Sequence, residues 1–415
     1  MTKYNPFKPG SIVHPGMFTG RTEEMRTVED LFFQTKNQNP GHFIIHGERG
    51  IGKSSLLFYL DLVARGEIDS LDGVKFKFLA ISLIMEPSDT YKDLIRKIAR
   101  EFEIELNKNE IWKKILKDIW SFITNWEILG VKYSKEKDSL SPEEMLEELI
   151  QKIAVVSEKL TNEIDGIYLF IDEADKPDVT LNLGGFVKYI TEKLTKLRVN
   201  NFGLGVIGIS NVIDKIRETH ESAIRVFTII GLNTLSLTER EQVILRGLEE
   251  AKNKNKFETS IGAPAMSMLS NLSEGFPHFI QQYAYSTFDL DTDNEITVND
   301  VVTGLTHKEK GALHQLGMRY FQSMYFKEIY SEDYRKVLQI MAKESQDKYV
   351  SKRVLAEKSG LKAYTINNAI SALLKKNIII PKTGTKGEYR LSSTSFGAWI
   401  LTMTNVMTNN ESSEF

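Results

Sequence analysis

The chain has no cysteine, which excludes disulfide bridges and thiolate metal sites. Its seven histidines are scattered without the spacing of a ligand set. No apolar run approaches the roughly 18 residues that span a bilayer. The N-terminus also lacks the charged-then-apolar pattern of a secretory signal, so a cytoplasmic protein with no membrane contact is expected. A large excess of either charge is missing too: 53 Lys and Arg face 56 Asp and Glu, a net charge of −3. That near balance hides an asymmetry. Residues 334–400 hold 13 Lys and Arg against four Asp and Glu, a balance of +9 that leaves −12 for the remainder. A basic C-terminal module of this kind can face a polyanion.

What is present is ordinary for a globular protein, with 41% hydrophobic and 26% charged residues. At 415 residues the chain exceeds what one core usually organises, so two or three domains are expected.

The most informative stretch is Phe43-Ile44-Ile45-His46-Gly47-Glu48-Arg49-Gly50-Ile51-Gly52-Lys53-Ser54-Ser55. An apolar run suited to a buried parallel strand enters a glycine-rich loop and leaves as a helix, with the G-x-x-x-x-G-K-[ST] spacing of a phosphate-binding loop. Glycines let consecutive N–H groups converge on phosphate oxygens, and the helix start adds the positive end of its dipole. Lys53 would place its ammonium against the β- and γ-phosphates, and Ser54 would offer a hydroxyl to Mg²⁺. The bland alternative is a strand-to-helix turn that binds nothing.

A second buried strand, Gly166 to Ile171, ends in Asp172-Glu173-Ala174-Asp175. Downstream of a phosphate loop, Asp172 would hold Mg²⁺ through water and Glu173 would orient and deprotonate the water attacking the γ-phosphate. A third strand, 203–209, ends at Ser210-Asn211, and Asn211 there could sense the γ-phosphate or simply make a turn. Arg225 precedes a short apolar strand; its guanidinium could serve a neighbouring subunit's γ-phosphate, or form a surface ion pair.

Between these motifs, residues 1–22 read as an extended lead-in, with Pro6, Pro9 and Pro15. Helices are expected from a cap near Thr22 to about residue 35, over 53–65, 90–105 and 142–160, with a strand over 74–84. Residues 108–130 place Ile111, Trp112, Ile115, Leu116, Ile119, Trp120, Ile123 and Trp126 at helical spacing, an apolar stripe expected to be buried core. The charged stretch 132–138 reads as an exposed loop.

Residues 238–305 read as helical, with a joint at Ser273-Glu274-Gly275-Phe276-Pro277-His278 where Gly closes one helix and Pro starts the next. A lid over a nucleotide base needs such a joint, and helical bundles use it as freely. Farther on, helices over 334–342, 351–358 and 363–376 precede a hairpin, 378–380 with 388–391, whose tip is rich in glycine and lysine. This is the order of a winged helix, whose third helix enters a major groove while the wing grips phosphates. Candidate DNA contacts are Lys352, Tyr364, Thr365, Asn367, Asn368, Lys382, Lys386 and Arg390. Winged helices also serve protein interaction and oligomerisation.

Taken together, Asn5-Pro6-Phe7, Phe18-Thr19-Gly20-Arg21-Thr22-Glu23-Glu24, the phosphate loop, Leu169 to Glu173, Arg225-Val226-Phe227 and Gly275 to Gln281 occur in one order. In that order they resemble bacterial origin-recognition-like AAA+ ATPases, similar to STAND signalling NTPases and ending in a winged helix. The resemblance implies that Gly20 and Arg21 lie near the adenine, that Pro277 closes a lid over the base with His278 where the family carries an arginine, and that Arg225 acts in trans in a homo-oligomer. The expected protein is α/β: an AAA+ core over 1–235 with a helical insertion at about 104–160, a lid over 236–325 and a winged helix over 326–405. It would bind ATP and Mg²⁺, hydrolyse ATP slowly, change oligomeric state with nucleotide and engage DNA, or else signal to an effector protein without nucleic acid.

Overall fold

A computed structural model describes residues 3–12, 18–124, 141–344 and 349–411. Pro15, Trp126 and the 132–138 stretch lie outside them. The chain divides into two compact units, residues 12–233 and residues 1–11 with 234–415.

In the first unit the elements run α1 (Thr22–Lys36), β1 (His42–His46), α2 (Lys53–Arg65), β2 (Phe78–Ile84), α3 (Tyr91–Asn107), α4 (Glu110–Ile115), α5 (Trp120–Thr124), α6 (Pro142–Lys159), β3 (Gly166–Asp172), α7 (Leu183–Lys196), β4 (Phe202–Gly208), α8 (Asn211–Thr219) and β5 (Phe227–Gly231). The strands form one parallel sheet in the order β2-β3-β4-β1-β5. Every residue of β3 and β4 is buried, as expected for central strands covered on both faces, which is why these segments read as uninterrupted apolar runs. Capping boxes start α3 at Thr90 with Asp93, and α6 at Ser141 with Glu144 and Pro142 in the first turn. Thr22 is already helical: the residue before it, Arg21, stands in left-handed conformation and makes no side-chain cap. β2 begins at Phe78 rather than 74.

The aromatic stripe is only half core. Leu116 and Ile123 are fully buried, and Trp112, Ile119 and Trp120 pack against the core, but Ile111 is 58% exposed and Ile115 lies in the open. Trp112, Leu116, Ile119 and Ile123 follow one another at the i, i+4, i+7, i+11 spacing of a single helical face, and that face packs inward. Ile111 and Ile115 lie on its flank, and the helix is interrupted after Leu116 by a short 3-10 turn before α5.

The second unit contains α9 (Leu237–Asn255), β6 (Ser260–Ile261), α10 (Ala263–Leu272), α11 (Pro277–Leu290), β7 (Glu295–Ile296), α12 (Val298–Thr306), α13 (Ala312–Leu316), α14 (Glu332–Glu344), β8 (Val350–Ser351), α15 (Lys352–Ser359), α16 (Ala363–Lys375), β9 (Ile379–Pro381), β10 (Glu388–Leu391) and α17 (Thr394–Glu411). β8, β10 and β9 form an antiparallel sheet in that order, and β6 pairs with β7.

Two expected boundaries are corrected here. Residues 3–11 belong to this unit and not to the first one: Phe7 is buried against Phe288 and Gly247, and the Lys8 N–H donates to Gln281. No break falls near 325, because one apolar core runs from Leu235 to Ile400. Phe321 joins its two ends, 6.1 Å from Phe279 and 5.4 Å from Phe396 between ring centroids. α17, absent from the sequence reading, supplies the buried Phe396, Trp399 and Ile400 that seal this core.

Candidate nucleotide site

Parallel strands in one sheet send the loops that follow them to the same edge. In the order β3-β4-β1, the loops after Asp172, Gly208 and His46 are therefore neighbours. That edge gathers residues 47–55, Asp172, Glu173 and Asn211.

The loop backbone explains its glycines. Gly52 has φ +99° as the cap of α2, a torsion costly for other residues. At Gly47 a Cβ would come 2.9 Å from the Leu232 carbonyl oxygen. α2 starts with no side-chain cap at Gly52. Glu48, Arg49 and Gly50 are exposed, Ile51 is buried, and Ser55 lies in the first turn of α2.

Lys53 Nζ donates to the carbonyls of Gly47 and Glu48, each at 2.9 Å. Burial pushes its ammonium below the usual range, against the pull of Asp175 and Asp172. The Ser54 hydroxyl donates to Asp172 Oδ2 at 2.9 Å, and the Glu173 N–H to Asp172 Oδ1 at 2.8 Å. Asp172 is 6% exposed, and burial pushes its carboxyl up. A desolvated carboxylate beside a hydroxyl is a hard-oxygen donor set that suits a divalent cation, so these residues fit Mg²⁺.

Glu173 stands at φ +53° and its carboxylate pairs with Lys176. Asn211 is exposed at the first position of α8. Several neighbours escaped the sequence reading. Asp175 Oδ1 accepts the Ile209 N–H at 2.9 Å, tying the acid turn to the end of β4. His46 Nδ1 is 3.3 Å from Ser210 Oγ, and burial, then the Lys53 charge, hold its imidazole below the ordinary value. The acid-x-x-Lys spacing of Glu173 and Lys176 was the available signal.

The remaining expected site residues come from other segments of the chain. Gly20 has φ +79°, and the buried Arg21 guanidinium bonds the carbonyls of Ile51 and Asn233 and the carboxylate of Glu24, bracing the phosphate loop with a cation spent on protein oxygens. Arg225 is exposed before β5, at the sheet edge opposite the loops. The five residues of β5, about 16 Å at strand rise, separate it from its own phosphate loop. Pro277 and His278 open α11 in the other unit, where the His278 ring meets Phe276, Phe279 and Tyr320.

In the C-terminal module Tyr364 is 76% exposed near the start of α16, with Thr365 and Asn368 half-buried. Lys352 donates to the exposed Asn367 at 2.7 Å. Lys382 pairs with Glu388 at 2.6 Å, and it and Arg390 lie over the Tyr349 ring. Lys386 is exposed between β9 and β10.

Among the described residues no helix is long and apolar enough to cross a membrane. No curated protein matches the chain. The ORC2 protein of Aeropyrum pernix, solved in ADPNP–ADP complexes, is similar in fold, with a TM-score of 0.57, 11% identity and 98% of each chain covered. So is the Walker-type ATPase of Pyrococcus abyssi, with a TM-score of 0.53, 13% identity, and 92% of this chain and 96% of that one covered. Residues 17–183, which contain the phosphate loop and the Asp172-Glu173 pair, match the family model described as AAA ATPase domain.

Proposed function

We propose that the first unit binds ATP with Mg²⁺ and hydrolyses it slowly, and that the protein is a nucleotide-driven switch acting as an oligomer on DNA. The observation that carries the reading is the Ser54–Asp172 hydrogen bond, 2.9 Å, at the mouth of a glycine loop whose lysine rests on loop carbonyls. The residues' roles follow from their chemistry. Loop N–H groups and Lys53 hold the triphosphate, with Lys53 exchanging carbonyl oxygens for phosphate oxygens. Ser54 and Asp172 hold the cation, which when bound neutralises charge on the phosphates. Glu173 accepts the proton of the attacking water, and Asn211 orients that water or the γ-phosphate. Arg225, too far from its own loop, serves a neighbouring subunit.

The DNA arm rests on the winged-helix order of α14 to β10 and on the balance of +9 over residues 334–400. One observation favours the alternative, a switch that signals to a protein: several cations of this module are already paired, Lys382 with Glu388, Lys358 with Glu344 and Arg353 with Glu357.

Calorimetry with ATP and Mg²⁺ tests the core. Lys53→Ala should abolish binding heat, and Glu173→Gln should keep binding while losing turnover. Binding unaffected by Lys53→Ala would overturn the reading. Titration of duplex DNA at several salt concentrations tests the second arm. Affinity should fall steeply with salt, and Lys386→Ala should reduce the slope by about one. No binding at low salt would leave the protein-signalling reading.

A further inference from the structure

The turn after β3 holds a cation that the proposed chemistry does not use. Glu173 begins that turn in left-handed backbone conformation, and the Lys176 N–H closes it onto the Glu173 carbonyl at 2.9 Å. The closure brings the Lys176 ammonium onto the Glu173 carboxylate as an ion pair. A base that must accept a proton from water is thus directed along its own turn, toward a lysine that takes up its lone pairs.

A second carboxylate competes for the same lysine. Glu86 Oε2 is 3.9 Å from Lys176 Nζ. Its position is fixed by the sheet: Ile84 is paired with Asp172, and the Met85 N–H donates to the Asp172 carbonyl at 3.0 Å, so the chain leaving β2 runs beside the chain leaving β3. The Glu86 N–H is in turn held by Asp89 at 2.6 Å. Lys176 therefore stands between two carboxylates on adjacent, well-anchored loops. Its side chain is 32% exposed, those of Glu173 and Glu86 40% and 57%, so exchange between the partners needs rotamer changes alone.

We propose that Lys176 is a positioning residue that restrains Glu173, and that Glu86 is the partner onto which Lys176 moves when Glu173 is released to act on water. The inference rests on the reading of Glu173 as the base in ATP hydrolysis. Exposed ion pairs are weak, so freeing Glu173 should change turnover by about two- to five-fold.

The experiment measures steady-state ATP hydrolysis and ATP affinity for the full chain and its variants. Lys176→Met should raise kcat about two- to five-fold with the dissociation constant for ATP unchanged, a gain that structural damage does not produce. Lys176→Arg should restore the wild-type rate. Glu86→Gln should lower kcat, because it removes the carboxylate that competes with Glu173 for Lys176, and should have no effect when combined with Lys176→Met. Turnover of Lys176→Met at or below wild type, or an equal effect of Glu86→Gln with and without Lys176, overturns the proposal. Glu173→Gln separates the two levels: if it turns over ATP like wild type, the reading of the base fails, whereas an inactive Glu173→Gln beside an unchanged Lys176→Met defeats the restraint alone.

Discussion

His42 should make the first unit acid-sensitive. It opens β1, is 7% exposed, and lies between the rings of Phe202 and Phe227, with centroids at 6.5 and 6.2 Å. Its Nδ1 accepts the Leu204 N–H at 3.1 Å, which fixes the neutral tautomer. Burial lowers the imidazole pKa from 6.5 to about 4. Because the folded state holds this proton less tightly than the unfolded chain, the contribution to stability is fully present above pH 6.5 and is lost as pH falls toward 4. Between pH 7.5 and 5.0 that loss is about 2 kcal/mol, with a ceiling of about 3 kcal/mol below pH 4. The assay is urea denaturation at both pH values, followed by tryptophan fluorescence, for wild type and His42→Asn. Asn keeps an acceptor near the position of Nδ1 but does not titrate. Carboxylates with raised pKa, such as Asp172 and Glu29, act in the opposite direction and equally in both proteins. The difference between them therefore isolates the imidazole. Equal pH dependence in the two, or a wild type that gains stability on acidification relative to His42→Asn, would refute the argument.

Two further outcomes follow from single contacts. Gly203→Ala should destabilise the first unit by about 3 kcal/mol, because the new Cβ would fall 2.1 Å from the buried Tyr168 ring, whose hydroxyl is anchored to the Gly41 carbonyl at 2.6 Å. A denaturation midpoint unchanged from wild type would mean that the ring simply moves aside. Arg225→Ala should cut turnover by on the order of 10³-fold without weakening ATP binding, and wild-type activity should rise more than linearly with protein concentration. A strictly linear rate together with an active variant would place Arg225 outside the chemistry.

Much of the first unit was legible because its signals are local. β3 and β4 carry continuous apolar runs, the phosphate loop announces itself through glycines that its own torsions require, and α3 and α6 begin at capping boxes written within four residues. The acids at the end of β3 could be read beside the loop because both motifs end apolar strands.

Other features could not be read this way, because they depend on residues distant in sequence. Phe7 looks like part of an extended lead-in until Gly247 offers a surface without a side chain for its ring. The boundary expected near 325 vanishes because Phe321 touches α11 and α17 at once. The helical periodicity at 111–123 is real, yet only the line through Trp112, Leu116, Ile119 and Ile123 meets the core, while Ile111 and Ile115 flank it in the open. Sequence by itself determined the strands of the parallel sheet, apart from where β2 begins, the glycine loop and the residue types at the sheet edge, since each follows from torsional freedom and side-chain burial over a few residues. The tertiary structure alone decided that Lys176 meets both Glu173 and Glu86, that Arg21 spends its charge on carbonyls, and that residues 3–11 pack with the C-terminal unit. The physical reason is that strand order and core packing, not spacing along the chain, set which groups share space.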